Sequence, residues 1–209
     1  MADFSLLHER QSYMTVIEDT NSHAIKSRHP LIKNVDRVLV PAEMIQARIA
    51  ELGRQITEDY KGEDLVIIGV LKGAMPFMSD LVRHIDMPLV MDYVATSSYA
   101  GGTTSSGVVR FQKDVEEPLE GRSVIIVEDI VDTGFTLHYL SKIFKLRGPK
   151  SLEICTLVDK PARRKTDVAP KYVGFTIPDR FILGYGMDYE ESYRNLDFIG
   201  IMSPEAIKG

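Results

Sequence analysis

From Glu128 to Thr136 the chain reads Glu-Asp-Ile-Val-Asp-Thr-Gly-Phe-Thr, which sets three carboxylates, a glycine and two threonine hydroxyls within nine residues. The apolar run 123–127 precedes it, and a helical pattern with Leu137, Leu140 and Phe144 on one face follows it. In open parallel sheets, ligands bind beyond the carboxyl ends of the strands. A helix that begins there offers free backbone N–H groups and a partial positive charge to an anion. Gly134 lets the backbone come close to a ligand, and Thr133 and Thr136 add hydroxyl donors, so the turn suits a phosphate monoester. Glu128 and Asp129, adjacent at a strand end, are placed to accept hydrogen bonds from the two hydroxyls of a ribose. An ordinary helix-capping turn beside a solvated strand end is the plainer account. It is weaker here, because apolar strand, carboxylates and helix start coincide. The glycine-lysine-serine/threonine element of a P-loop is absent.

The elements that must position these residues are legible from periodicity. Pro41 opens a helix with Ile45, Ile49, Leu52 and Ile56 on one face, ended by Lys61-Gly62. The run 65–71 is continuously apolar, as in a strand buried on both faces. Lys72-Gly73-Ala74 leads to a second helix with Pro76 in its first turn and Phe77, Leu81 and Ile85 inward. Strands are expected at 89–95, 108–111, 123–127, 152–158, 172–175, 181–183 and near 198–201, with the third helix stopped by Arg147-Gly148-Pro149. Residues 97–107 are rich in glycine, serine and threonine and predict a mobile loop. Apolar strands alternating with amphipathic helices signal βαβ units around a parallel sheet.

A chain of 209 residues suits one domain. The net charge of -5 argues against nucleic acid or acidic membrane as a general partner. Cys155 is the single cysteine, so no intramolecular disulfide forms; in an apolar strand it reads as a small filler. His8, His23 and His29 show no metal-ligand spacing and read as surface residues of a polar, partly ordered arm over 1–34. The N-terminus lacks the apolar core of a signal peptide, and no run approaches the roughly 20 apolar residues that span a bilayer, so the expectation is cytoplasmic.

The run Val124 to Leu137 resembles the phosphoribosyl pyrophosphate signature of the phosphoribosyltransferases. Leu71-Lys72-Gly73-Ala74, Ser98-Tyr99, Leu157-Val158-Asp159-Lys160 and the stretch Val173 to Tyr189 are similar, in order, to segments of the hypoxanthine-guanine phosphoribosyltransferases. The likeness covers about Val38 to Met202. It implies an α/β, type I phosphoribosyltransferase fold: a central, mostly parallel sheet flanked by helices, with a small hood or lid. Residues 35–209 would form a single domain whose hood is built from the chain ends. The implied activity is purine salvage. The 5-phosphoribosyl group passes from phosphoribosyl pyrophosphate to N9 of a 6-oxopurine, hypoxanthine and/or guanine, giving IMP or GMP and pyrophosphate.

The resemblance also implies residue roles. Asp132 would face N7 of the purine as general acid/base, a task a carboxylate performs by taking the proton as the N9 bond forms. The N–H groups of Asp132, Thr133, Gly134, Phe135 and Thr136 would hold the 5′-phosphate. Glu128 and Asp129 would bind the ribose, partly through magnesium (Mg2+), and Asp188 would help hold a second magnesium. Lys72 and Gly73 would present backbone to the pyrophosphate, where the family usually has a non-proline cis peptide, and Arg194 would contact the same group. Lys160 would donate to the oxygen at C6 of the base, selecting against adenine. Phe181 would stack on the purine while Ile182 backbone reads its edge; read alone, this segment is simply core strand. Ser98 and Tyr99 would close as a lid that excludes water. Phe135 stands where some relatives have lysine, removing a positive charge near the phosphate. A homodimer or homotetramer is implied.

Alternatives differ in class. A transferase for xanthine or adenine keeps the signature; Lys160 and the segment from Phe181 to Asp188 favour a 6-oxopurine without ranking hypoxanthine, guanine and xanthine. A nucleotide-sensing regulator would have reason to lose Lys160 or Asp132, and both are present. A dinucleotide-dependent oxidoreductase lacks its Gly-x-Gly-x-x-Gly.

Overall fold

The computed structural model describes residues 15–16, 32, 34–98 and 109–206. The strands are β1 (Thr15–Val16), β2 (Val35–Val40), β3 (Leu65–Leu71), β4 (Leu89–Ser98), β5 (Val109–Lys113), β6 (Ser123–Val131), β7 (Ser151–Asp159), β8 (Tyr172–Thr176), β9 (Ile182–Leu183) and β10 (Ile199–Met202). The helices are α1 (Ala42–Asp59), α2 (Met75–Val82) and α3 (Phe135–Lys145). Seven strands form one sheet in the order β1-β8-β7-β6-β3-β4-β5. All neighbours in it are parallel except β4 and β5. Strands β2, β10 and β9, from near the two ends of the chain, make a small antiparallel sheet.

The apolar runs bury as their composition dictates. β3 is covered on both faces: Leu65 and Ile67 join one core while Val66, Ile68 and Val70 join the other. α1 turns Ile45, Ile49, Leu52 and Ile56 fully inward, and α3 does the same with Leu137, Leu140 and Phe144 against the second core. Cys155 is buried in β7, and burial pushes its thiol well above the ordinary range, which makes it inert as a nucleophile.

Several boundaries differ from the sequence expectation. α1 ends at Asp59 and is capped by Tyr60 rather than by Gly62. α2 ends at Val82, so Ile85 is buried from the turn that follows it. β4 runs on to Ser98 because β5 pairs with its far end, Ser98 opposite Val109. The larger correction concerns β6, expected to stop at Val127. Its pairing with β3 does stop at Gly69 opposite Val127, but the longer β7 continues the ladder to Val131 opposite Asp159. The face alternation slips there: Ile125, Val127 and Ile130 meet one core, Val124, Ile126 and Val131 the other. Glu128 and Asp129 therefore lie within the strand, each 8% exposed, rather than in a solvated turn.

Most of the arm over 1–34, with His8, His23 and His29, lies outside the described residues, as do Tyr99 and the remainder of the glycine-rich segment to 108. Among the described residues no helix is long and apolar enough to cross a membrane.

Candidate active site

The carboxyl end of the large sheet carries a cavity of about 330 Å³, within the size range of small-molecule sites. Asp129 and Asp132 reach it from β6 and the turn beyond, Lys160 from the end of β7, and Phe181, Ile182 and Asp188 from the segment around β9. Six residues named from the sequence thus meet in one space. Gly73 lies immediately behind: a Cβ added to it would stand 1.8 Å from Asp129 Oδ2, so any larger residue would displace that carboxylate. The peptide bond between Leu71 and Lys72 is cis. Arg194 joins the cluster through Asp188, Nη2 to Oδ1 2.8 Å, and donates to the Gly186 carbonyl at 2.7 Å. Its Nε is buried without a partner. Lys72, largely exposed, pairs with Glu191 at 2.7 Å.

The turn from Asp132 to Gly134 joins β6 to α3. Gly134 is the residue before the helix, with φ at 85°, a left-handed conformation that favours glycine. No side chain caps the helix tip and no acidic residue sits in its first turn, so its N–H groups remain directed at incoming anion. The turn is braced from behind by the chain after Lys160. Lys165 N–H donates to the Thr133 carbonyl at 3.0 Å and Arg164 Nε to the Asp132 carbonyl at 3.1 Å. Arg164 also pairs with Asp159, tying the end of β7 to the end of β6.

Glu128 is the one carboxylate of the motif that does not line the cavity. It and Asp129 are buried side by side, and the two carboxyls are affected differently. Burial first, then the neighbouring carboxylate, pushes Glu128 well above the usual carboxyl range. Burial also raises Asp129, against hydrogen bonds and the Arg194 charge that favour its ionised form. A carboxyl with a raised folded value keeps its proton where the unfolded chain has released it, so its contribution to stability falls as pH rises through that interval. Glu128→Gln is expected to raise the melting temperature at pH 7.5 by about 2–4 °C, with the gain fading near pH 4. Calorimetry at the two pH values tests this; an equal difference at both would contradict it.

Lys160 is only 6% exposed, and its amine donates to the Arg180 carbonyl. Burial pulls its value down, while the charges of Asp132 and Asp179 oppose that shift. Phe181 is not core: it is 43% exposed and makes an edge contact with Tyr189, ring centroids 5.6 Å apart. Its face is open to a planar ligand. Sequence reasoning missed Arg163, which lines the cavity and stands 2.7 Å from Asp132 Oδ1 as an ion pair without hydrogen-bond geometry. It also reaches Asp179 at 3.3 Å. The signal was only a basic turn after Lys160. Ser98 ends β4, and Tyr99 lies outside the described residues.

A phosphoribosyl transferase domain profile matches residues 41–190. The hypoxanthine-guanine phosphoribosyltransferase of Bacillus subtilis (strain 168) is 48% identical over 171 residues, covering 82% of this chain and 95% of that protein. The chain belongs to the hypoxanthine-guanine phosphoribosyltransferase family. The hypoxanthine phosphoribosyltransferase of Salmonella typhimurium is likewise 48% identical, over 81% of this chain and 96% of that one. A crystal structure of a hypoxanthine phosphoribosyltransferase from Staphylococcus aureus superposes with a TM-score of 0.85 at 46% identity, covering 88% of this chain and all of that one. The seven-stranded sheet with its flanking helices and small second sheet is the type I phosphoribosyltransferase fold. The segment matched to the signature runs from β6 into α3, and Ile182 lies in β9 at the edge of the small sheet.

Proposed function

We propose that this chain transfers the 5-phosphoribosyl group of phosphoribosyl pyrophosphate to N9 of hypoxanthine or guanine, releasing pyrophosphate. The observation that carries the reading is the convergence of Asp132, Lys160 and Phe181 on one cavity beside an uncapped helix tip. Such a cavity can hold a planar base and a sugar phosphate together.

Each group has a task. The N–H groups of Thr133 to Thr136 hold the 5′-phosphate, and Phe135 contributes its backbone alone, its side chain being largely exposed. Phe181 covers the purine face, the Ile182 backbone meets its edge and Lys160 donates to the oxygen at C6. Asp132 takes the N7 proton as the N9 bond forms. The ribose hydroxyls lie against Asp129, with Glu128 behind it. The pyrophosphate leaves against the Lys72-Gly73 backbone and Arg194, whose buried Nε awaits an acceptor.

The acidic residues suit magnesium. No group of three or more metal-ligating side chains gathers among the described residues, and magnesium usually needs only one or two carboxylates plus phosphate oxygens. Asp129, with raised affinity for protons, and Asp188 line the same cavity, and would hold the ion there; bound, it neutralises charge on the departing pyrophosphate. We assign the working form to a cytoplasmic homodimer or homotetramer with no nucleic-acid partner, in keeping with the net charge of -5.

Pyrophosphate release with magnesium, phosphoribosyl pyrophosphate and each of four bases tests the assignment. Hypoxanthine or guanine is expected to react, and adenine to stay at background. Adenine reacting as well as hypoxanthine would overturn it.

A further inference from the structure

The Lys72-Gly73 turn is proposed to present its backbone to pyrophosphate. The turn after β3 sits between two tight backbone approaches. Beneath it, Gly73 meets the Asp129 carboxylate; above it, a Cβ added to Gly186 would stand 2.0 Å from the Gly73 carbonyl oxygen. The height of the turn is therefore set by where Gly186 is held. Gly186 belongs to a bend of three consecutive left-handed residues, Gly184, Tyr185 and Gly186, with φ of 95°, 48° and 98°. For tyrosine that conformation is unfavourable and persists only where surrounding contacts impose it.

Those contacts come from Tyr185 itself. Its ring is buried at 6% exposure, its N–H donates to the Leu196 carbonyl at 2.8 Å, and its hydroxyl donates to Asp80 Oδ2 at 2.5 Å. Gln46 of α1 donates to the same carboxylate oxygen at 2.9 Å, and Arg83 lies 3.6 Å from the other oxygen. Asp80 is on α2, the helix that begins directly after the Lys72-Gly73 turn, where Met75 N–H bonds the Lys72 carbonyl at 3.2 Å. The chain thus closes a ring: turn, α2, Asp80, Tyr185, Gly186, and back onto Gly73.

We infer that Tyr185, through its hydroxyl bond to Asp80, is a positioning residue that sets the seat of the Lys72-Gly73 turn and hence the affinity for the diphosphate of the activated sugar. The inference rests on the proposed pyrophosphate role of that turn. Tyr185 is not among the residues that line the cavity. Loss of the bond frees the bend to relax away from Gly73, which loosens the diphosphate contact and leaves the purine contacts of Lys160 and Phe181 in place.

The test uses the full chain. Tyr185→Phe keeps the ring and removes the hydroxyl. It is expected to raise KM for phosphoribosyl pyrophosphate and the inhibition constant of pyrophosphate about five- to tenfold, the scale of one ordinary hydrogen bond. KM for hypoxanthine and the inhibition constant of IMP should stay within about twofold. Asp80→Ala should match it, and the double variant should be no worse than either single one, as for two ends of one bond. Asp80→Asn, which still accepts from the hydroxyl, should restore most of the affinity. A purely structural role would lower the melting temperature while shifting both substrates' constants together or neither, and that result would overturn the inference. So would Asp80→Asn behaving like Asp80→Ala. Calorimetric titration with inorganic pyrophosphate reads the same link without turnover. Wild-type protein that binds pyrophosphate but turns over no purine would defeat the proposed function, while the variants would still decide the role of Tyr185.

Discussion

Asp132→Asn is expected to lower kcat by about 10²- to 10⁴-fold, the usual scale of a positioned general acid/base, with a melting temperature within a few degrees of the parent. The side chain lines the same cavity as Phe181, in the turn before α3, and its Oδ1 is buried without a hydrogen bond. Asparagine matches its shape and offers an amide in place of a basic oxygen. Arg163 pairs with Oδ1 of Asp132 at 2.7 Å. The backbone of the turn is held by Lys165 and Arg164 through its carbonyls, not through the Asp132 side chain, so phosphate affinity should survive the change. Steady-state kinetics with saturating substrates checks this; near-normal kcat would remove Asp132 from the proton transfer.

Lys160→Ala should fall hardest on base choice. The amine is held at the cavity by the Arg180 carbonyl, and its burial means that a purine lacking an acceptor at C6 would leave a charged donor unanswered. On the proposed reading, that penalty would separate hypoxanthine from adenine. Removing the amine is expected to cut kcat/KM for hypoxanthine by about 10- to 100-fold, the scale of one charged hydrogen bond, and to change the adenine value far less. The specificity ratio should therefore collapse toward unity. An unchanged ratio in competition assays would show that selection lies elsewhere.

The α/β pattern was legible because β3, β6 and β7 are buried on both faces and must be continuously apolar, while α1 and α3 each bury one stripe. The signature was legible because phosphate binding at a helix tip needs glycine and hydroxyls at fixed positions. What stayed hidden has a physical reason in each case. The slip at Glu128 and Asp129 arises from β7 outlasting β3 as a pairing partner, which is a property of neighbours rather than of the segment. Phe181-Ile182-Leu183 reads as core because periodicity cannot tell that the chain turns at Phe181 and leaves its ring exposed. Arg163 and Tyr185 act across long separations, to Asp132 and Asp80. No local pattern announces such pairs; Tyr185 shows itself only by its left-handed backbone between two glycines.

One cavity that reads a purine while the adjoining helix tip holds its 5′-phosphate is the core of the account. A crystal structure of the protein with IMP tests it directly. The phosphate should lie on the N–H groups of Thr133 to Thr136, the base against Phe181 with its C6 oxygen on Lys160, and N7 facing Asp132. Nucleotide bound with its phosphate away from the tip of α3, or with its base outside this cavity, would contradict it.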